Sequence, residues 1–148
     1  MDSARHEVHQ ALEPEKIALA AVDQNGVLLG WIGAINQYDG HGWELHPLVV
    51  RPDAQGKGIG SALVGELENQ VRLRGGVTIY LGTDDEDGMT SLSNTDLYHD
   101  FPGCLSSVHN IKRHPYEFYQ RLGYTITGVI PDANGIGKPD IIVAKRLS

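Results

Sequence analysis

Cysteine is almost absent: Cys104 is the only one among 148 residues. A single cysteine excludes a disulfide framework and a metal cluster built from cysteines, and it fits a reducing cytoplasm. Long apolar runs are also lacking, since none approaches the ~20 residues that a membrane-spanning helix needs. The first residues show no signal-peptide pattern. We therefore expect a cytoplasmic protein that has no membrane partner.

Basic residues are fewer than acidic residues. Lys and Arg together number 12 against 19 Asp and Glu, which gives a net charge of −7. This balance argues against a nucleic-acid partner and suits a cationic substrate. Ordinary acidity for solubility explains the charge equally well. No metal site is predicted.

The chain is long enough for one domain with a real core. Apolar residues make up 41% of it, and the sequence contains no repeat, low-complexity tract or linker. We predict a single domain over residues 1–148.

Apolar periodicity predicts a mixture of strands and helices, in the α/β (α+β) class. Asn25-Gly26 is a strong hairpin signal between the first two strands. The strands are expected at 17–23, 26–35, 43–50, 77–82, 124–130 and 140–147, and the helices at 3–12, 59–74 and 114–124.

A long connection, residues 83–113, separates a strand from the last helix and begins with the acidic run Asp84, Asp85, Glu86 and Asp87. Connections of this length are usually functional or partly helical.

Glycines stand at alternate positions where the third strand turns into the long helix, in "VVRPDAQGKGIGSALV" over residues 49–64. A helix N-terminus presents unpaired N–H groups and a partial positive charge. Without side chains at Gly56, Gly58 and Gly60, an anion can reach those groups, which predicts a phosphate site. Lys57 adds a positive charge. The alternative is a glycine-rich loop that only turns the chain.

The glycine spacing narrows the kind of phosphate. The Walker pattern is absent, because Gly58 follows Lys57, and a dinucleotide G-x-G-x-x-G fails at Ser61. What fits is Q-x-x-G-x-G from Gln55 to Gly60. This motif, and the order of elements around it, resemble the GCN5-related N-acetyltransferase (GNAT) superfamily, whose equivalent turn binds the pyrophosphate of coenzyme A. The resemblance implies a mixed, mostly antiparallel sheet with splayed central strands and flanking helices.

The strand before the turn carries Pro47, so it should bulge or part from a neighbour. If it parts from strand 77–82, its free backbone groups could pair with an extended amide-bearing arm such as pantetheine. Strict alternation places Glu44, His46, Leu48 and Val50 on one face, and Trp43, Leu45 and Val49 on the other. The residues expected to bind acetyl-CoA are Leu48, Val49, Val50, Gln55, Gly56, Lys57, Gly58, Ile59, Gly60, Ser61 and Tyr119.

An amine must lose a proton before it attacks a thioester, and its ordinary pKa is about 10.4. Glu44 is the candidate base, with His46 assisting or holding a water. The Leu48 N–H is the candidate donor to the carbonyl oxygen, which gains negative charge. The alternatives are an exposed or salt-bridged carboxylate for Glu44 and a structural histidine for His46.

The short helix near the C-terminus is rich in tyrosine, in "HPYEFYQRLGY" over residues 114–124. On spacing alone its aromatic face reads as core. The superfamily commonly carries a tyrosine near the coenzyme sulfur in a pattern like Y-x-x-x-G-[FY]. Tyr119 to Tyr124 match it, so Tyr119 is the candidate general acid.

Longer segments resemble one branch, the aminoglycoside 6'-N-acetyltransferases of the enterococcal chromosomal type. They are "GWELHPLVV" (42–50), "RGGVTIYLGTDD" (74–85), "TDLY" (95–98), "HPYEFYQRLGY" (114–124) and "PDANGIGKPDIIVAK" (131–145). The resemblance implies acetyl transfer from acetyl-CoA to the 6'-amine of an aminoglycoside, the roles given above for Glu44, His46, Leu48 and Tyr119, and a homodimer.

Aminoglycosides are polycations, so the net negative charge of the chain would attract them. The candidate substrate-binding residues are Glu44, Asp84, Asp85, Glu86, Asp96 and Asp140. For each of these candidates other than Glu44, the alternative is a solvated carboxylate on the protein surface. The family also has a strand and a helix ahead of the segment that matches residues 2–12. This sequence is expected to lack both, while keeping the cleft for acetyl-CoA.

Two other functions fit the sequence. One is an acetyltransferase for another amine, such as a polyamine or a protein N-terminus, because the fold does not fix the acceptor. The other is a non-catalytic acetyl-CoA-binding module.

Overall fold

The computed structural model of the chain describes residues 7–10 and 15–148. Within them lie seven strands, three α-helices and two short 3-10 turns, the turns at Tyr38–Gly40 and Pro52–Ala54. The strands are β1 Glu7–Gln10, β2 Lys16–Val22, β3 Leu28–Gln37, β4 Gly42–Val50, β5 Thr78–Asp84, β6 Thr125–Ile130 and β7 Asp140–Arg146, and the helices are α1 Ile59–Leu73, α2 Phe101–Ser106 and α3 Tyr116–Arg121. No helix in this part of the chain is long and apolar enough to cross a membrane.

The chain divides into two compact units. The first takes in the described residues up to Ile79 together with Arg146–Ser148, and the second is Tyr80–Lys145.

The first unit is an antiparallel meander, β1 to β4, with α1 packed on β2, β3 and β4. The predicted hairpin turn between β2 and β3 is confirmed. Gly26 has φ +79, and the Asp23 carboxylate accepts hydrogen bonds from the backbone amides of Asn25 and Val27. The apolar stripe of α1 is buried, as its spacing predicts. The core of this unit includes Ile17, Leu19, Ile32, Ala34, Trp43, Leu45, Leu63, Val64, Leu67 and Val71.

Pro47 produces the bulge that the sequence predicts. Ile32 on β3 pairs with Leu48 on β4, and Ala34 on β3 pairs with Leu45 on β4. Between these two pairs, β3 advances by two residues while β4 advances by three. One extra residue therefore stands in β4 at His46-Pro47, where the peptide bond is cis.

The bulge corrects the predicted faces of β4. Cross-strand partners share a face of the sheet, so Leu48 lies on the Ile32 side together with Leu45. Val49 pairs with the exposed Trp31 and lies on the opposite side, that of Glu44. The prediction that Leu48 and Glu44 share a face was wrong, because a bulge shifts the alternation by one residue.

The second unit has strand order β5-β7-β6, with β6 and β7 antiparallel. Its core includes Leu81, Leu92, Leu97, Tyr116, Tyr119, Tyr124, Ile141 and Val143. The long connection is partly helical, as expected: α2 follows Asp100, whose carboxylate accepts the Gly103 amide.

The expected helix over residues 3–12 is wrong at residues 7–10, which form β1 and pair with β2. Strand pairing overrides a short local helix preference here. The rest of that prediction falls outside the described residues.

Candidate active site

The glycine turn joins β4 to α1 in the first unit. Gly56 and Gly58 have φ of +76 and +82, a region that favours glycine. Gly58 is the N-cap of α1, and no side chain caps the helix. Added Cβ atoms at either glycine would meet nothing within 4 Å. The space beside both glycines is therefore open, and no side chain caps the amides at the start of α1.

The other residues of the turn frame this opening. The Gln55 side chain donates to the Val50 carbonyl at 3.2 Å and fixes the turn against the end of β4. Lys57 and Ser61 are exposed beside the helix start, whereas Ile59 is buried and anchors it. Uncapped amides, a helix dipole and a nearby lysine fit a bound diphosphate.

Glu44 and His46 stand on β4, in the same unit as the glycine turn. Glu44 is half-buried and pairs across the sheet with Ile35. In the described part of the chain, its carboxylate makes no hydrogen bond or ion pair with protein, so its lone pairs are available to a proton. His46 is exposed at the bulge. The role predicted for Leu48 uses its main-chain N–H, which lies in the sheet plane, so the corrected face of its side chain does not affect it.

Tyr119 belongs to the second unit and is 6% exposed. Its ring packs edge-on against Phe118 at 5.0 Å and Tyr124 at 5.6 Å between centroids. Burial raises the pKa of Tyr119 to about 12, because water no longer stabilises the phenolate. Tyr119 is therefore protonated at neutral pH, as a hydrogen-bond donor must be.

The predicted substrate carboxylates lie in the second unit and differ in their surroundings. Asp84, Glu86 and Asp96 are exposed to solvent. Asp84 accepts the side-chain amide of Asn134 at 2.7 Å. Asp140 is half-buried, and its carboxylate lies where a Cβ at position 82 would be, so a larger residue there would require the Asp140 side chain to move.

Asp85 is fully buried. It accepts the amides of Met89 and Thr90 and the Thr90 hydroxyl at 2.7–2.8 Å. Burial alone would raise the pKa of Asp85, but the hydrogen bonds from the Met89 amide and from the Thr90 hydroxyl and amide hold it below its usual 3.8. Asp85 shapes the loop that follows β5 from inside.

Comparison with known proteins supplies the family. Residues 2–93 match the Acetyltransferase (GNAT) family. The chain belongs to the GNAT family. A comparison with curated proteins gave no significant match.

Several solved structures are similar to this GNAT chain. A crystal structure of aminoglycoside 6'-N-acetyltransferase complexed with coenzyme A is 55% identical, with a TM-score of 0.89 over 93% of this chain and 76% of that one. A crystal structure of the aminoglycoside 6'-N-acetyltransferase from Enterococcus faecium is also 55% identical, with a TM-score of 0.88 and the same coverage. An aminoglycoside 6'-acetyltransferase type Ii is 47% identical, with a TM-score of 0.68 over 92% and 72% of the two chains. The GNAT fold expected from the sequence is confirmed.

Sequence reasoning missed His114. It is 1% exposed, with its Nε2 2.8 Å from the Asp84 carbonyl oxygen and its Nδ1 3.0 Å from the Tyr116 amide. Because an amide can only donate, Nδ1 accepts and the proton sits on Nε2. His114 thus ties the end of β5 to the start of the helix that carries Tyr119. Its sole sequence signal is its place before Pro115 at the helix start.

Among the residues that the structure describes, no group of three or more His, Cys, Asp or Glu side chains could hold a metal ion.

Proposed function

We propose that this GNAT chain transfers an acetyl group from acetyl-CoA to the 6'-amine of aminoglycosides, by direct transfer within a ternary complex. The observation that carries the proposal is the similarity, at 55% identity over 93% of the chain, to structures named aminoglycoside 6'-N-acetyltransferase. The open helix start at the glycine turn supports it, because its uncapped amides fit the diphosphate of a coenzyme. Acetyl-CoA, when bound, supplies the acyl group as a thioester. The coenzyme would lie along Leu48, Val49 and Val50.

Glu44 removes a proton from the acceptor amine as the new C–N bond forms, directly or through one water held by His46. Its carboxylate has no competing protein partner among the described residues, which supports this role. The Leu48 N–H donates to the carbonyl oxygen as negative charge develops there. The C–S bond breaks and the electron pair leaves with sulfur.

Tyr119 stabilises that sulfur by hydrogen bonding. With a pKa of about 12, Tyr119 is a weaker acid than an ordinary thiol at about 8.5. Full proton transfer to the thiolate is therefore uphill, and Tyr119 acts mainly as a donor while the final proton can come from solvent.

The acceptor is held by carboxylates. Asp84, Glu86 and Asp96 are exposed, and Asp140 is half-buried. These four and Glu44 attract a polycation by charge. Asp85 is left out, since its two oxygens already hold the loop after β5.

We further propose a cytoplasmic homodimer whose activity protects the cell from the antibiotic. Sedimentation equilibrium tests the dimer, and survival of expressing cells on kanamycin tests the protection.

The direct experiment follows thiol release from acetyl-CoA with kanamycin, spermidine and an N-terminal peptide as acceptors. We expect saturable turnover with kanamycin and at least tenfold lower kcat/KM with the other two, because only kanamycin offers several ammonium groups around one 6'-amine. Preference for spermidine or peptide would contradict the proposal and favour another acceptor. Tight coenzyme binding without turnover on any of them would indicate a binding module.

A further inference from the structure

The C-terminal end of α3 is held by contacts close to Tyr119. The Tyr119 carbonyl accepts the amides of both Leu122 and Tyr124 at 3.0 Å, and Gly123 turns the chain with φ +95. The helix has only six residues. Its position therefore depends on what holds its ends, because so short a helix is not stable by itself.

Lys145, on β7, reaches this helix end. Its Nζ donates to the Leu122 carbonyl at 2.8 Å. Its stem passes Gly123 so closely that a Cβ there would lie 3.3 Å from Lys145 Cε. The side chain is half-buried. A cation at the last carbonyls of a helix is favoured by the partial negative charge there, and a charged donor makes a stronger hydrogen bond than a neutral one.

The same ammonium also lies over an aromatic ring. Nζ is 5.6 Å from the centroid of Tyr124, within cation–π range. Tyr124 in turn meets Tyr119 edge-on, with 5.6 Å between centroids and 70° between planes. One side chain thus contacts both the carbonyl that ends α3 and the ring against which Tyr119 packs.

We propose that Lys145 is a positioning residue for Tyr119: it fixes the end of α3 and the Tyr124 ring, and so holds the Tyr119 hydroxyl where the leaving sulfur needs a donor. Lys145 acts through Tyr119 and has no contact of its own with the reaction. The inference rests on the function proposed above, in which Tyr119 assists thiol departure.

The test compares Lys145→Met, which keeps the stem but removes the charge and the donor, with Lys145→Arg, which keeps both. Lys112→Met is the matched control, since Lys112 is exposed and its side chain has no role in the site. We expect Lys145→Met to lower kcat about fivefold to tenfold and to leave the KM for acetyl-CoA within about twofold. Lys145→Arg should recover most of kcat, and Lys112→Met should behave as wild type. Equal losses in Lys145→Met and Lys145→Arg would overturn the proposal.

A double-mutant cycle separates positioning from general destabilisation. When Tyr119 is Phe, the hydroxyl to be positioned is gone, so adding Lys145→Met should change kcat by less than about twofold. An undiminished loss in that background would overturn the proposal, because Lys145 would then act by another route.

Amide hydrogen exchange gives a readout that needs no turnover. In Lys145→Met, the amides of Leu122, Gly123 and Tyr124 should exchange at least about tenfold faster than in wild type, with no change in Lys112→Met. If wild type acetylates nothing, the proposed function fails while faster exchange still supports the hold on α3. Unchanged exchange in Lys145→Met would overturn the inference whether or not the enzyme is active.

Discussion

At the scale of single residues, the free carboxylate of Glu44 sets the clearest expectation. Glu44→Gln keeps the shape of the side chain but cannot take a proton. We expect kcat to fall by about 10²–10⁴, the usual contribution of a general base, while coenzyme A affinity stays within about threefold because the glycine turn is untouched. Stopped-flow thiol release and calorimetric titration measure the two quantities.

Glu15→Gln is the matched control for this change, since Glu15 is an exposed glutamate of the same unit. It should leave both quantities at wild-type values. Wild-type kcat in Glu44→Gln would remove Glu44 from the mechanism.

The raised pKa of Tyr119 leads to a separate prediction about the free energy of unfolding at alkaline pH. Its pKa is about 12 in the folded protein against 10.0 ordinarily, so the unfolded chain loses this proton first as pH rises. The raised pKa makes the free energy of unfolding depend on pH. The contribution of Tyr119 to this free energy is fully present below about pH 10 and is lost by about pH 12. A difference of two pKa units corresponds to a loss of about 3 kcal/mol.

Tyr119→Phe lacks this titration, so its unfolding free energy should fall less steeply between about pH 10 and pH 12 than that of wild type. Urea unfolding at several pH values checks it. Parallel pH profiles for the two proteins would contradict the buried, protonated state of Tyr119.

At the scale of elements, the start of α1 depends on glycine for conformation and not for space. Gly58 has φ +82, and a Cβ there would meet no atom within 4 Å. Gly58→Ala should cost about 1 kcal/mol of stability. It should also weaken coenzyme A binding by about tenfold or more, because the methyl group points into the space proposed for the diphosphate.

Gly65→Ala is the control within the same helix. Gly65 is exposed in the middle of α1, has ordinary φ and has open space around it, so the change should stabilise the protein by about 0.5–1 kcal/mol. Coenzyme affinity should not change. Equal affinity in Gly58→Ala and Gly65→Ala, measured by calorimetry, would refute the diphosphate site.

The loop after β5 depends on Asp85 being ionised. Its folded pKa lies below 3.8, so the stability it confers is present above about pH 4 and is lost as pH falls further. Asp85→Asn should cost about 2 kcal/mol at pH 7, because an amide cannot accept all three hydrogen bonds. The gap between the variant and wild type should narrow towards about pH 2.

Asp87→Asn, a change at an exposed aspartate of the same loop, should cost nothing measurable. Chemical denaturation of the three proteins at both pH values checks the prediction. A cost at Asp87 equal to that at Asp85 would show that loop charge, and not buried hydrogen bonding, is responsible.

The elements also show what sequence can predict. The helix predicted over 59–74 is Ile59–Leu73, because four apolar residues on one stripe and Gly75 after it determine a helix locally. The faces of β4 were predicted wrongly beyond Pro47. A proline signals a bulge, but the position of the extra residue depends on pairing with β3. Asp84 and Asp85 look alike in sequence, yet one is exposed and the other buried, since burial depends on contacts with Met89 and Thr90.

At the scale of the whole molecule, the family was predictable from the sequence. The glycine spacing and the order of elements identified the GNAT family, which the match over residues 2–93 shows. The contacts of His114 and Lys145 were not predicted, because the carbonyl oxygens that these side chains reach lie 30 and 23 residues away in sequence. The net charge of −7 is consistent with a polycationic substrate without selecting one.

The most direct test of the proposed function identifies the product formed from acetyl-CoA and kanamycin A. Two-dimensional NMR of the purified product locates the new acetyl group by its coupling to the adjacent sugar protons. The account predicts one acetyl group on the 6'-nitrogen and equimolar free coenzyme A. Acetylation at another amine, or coenzyme A release without an acetylated sugar, would contradict it.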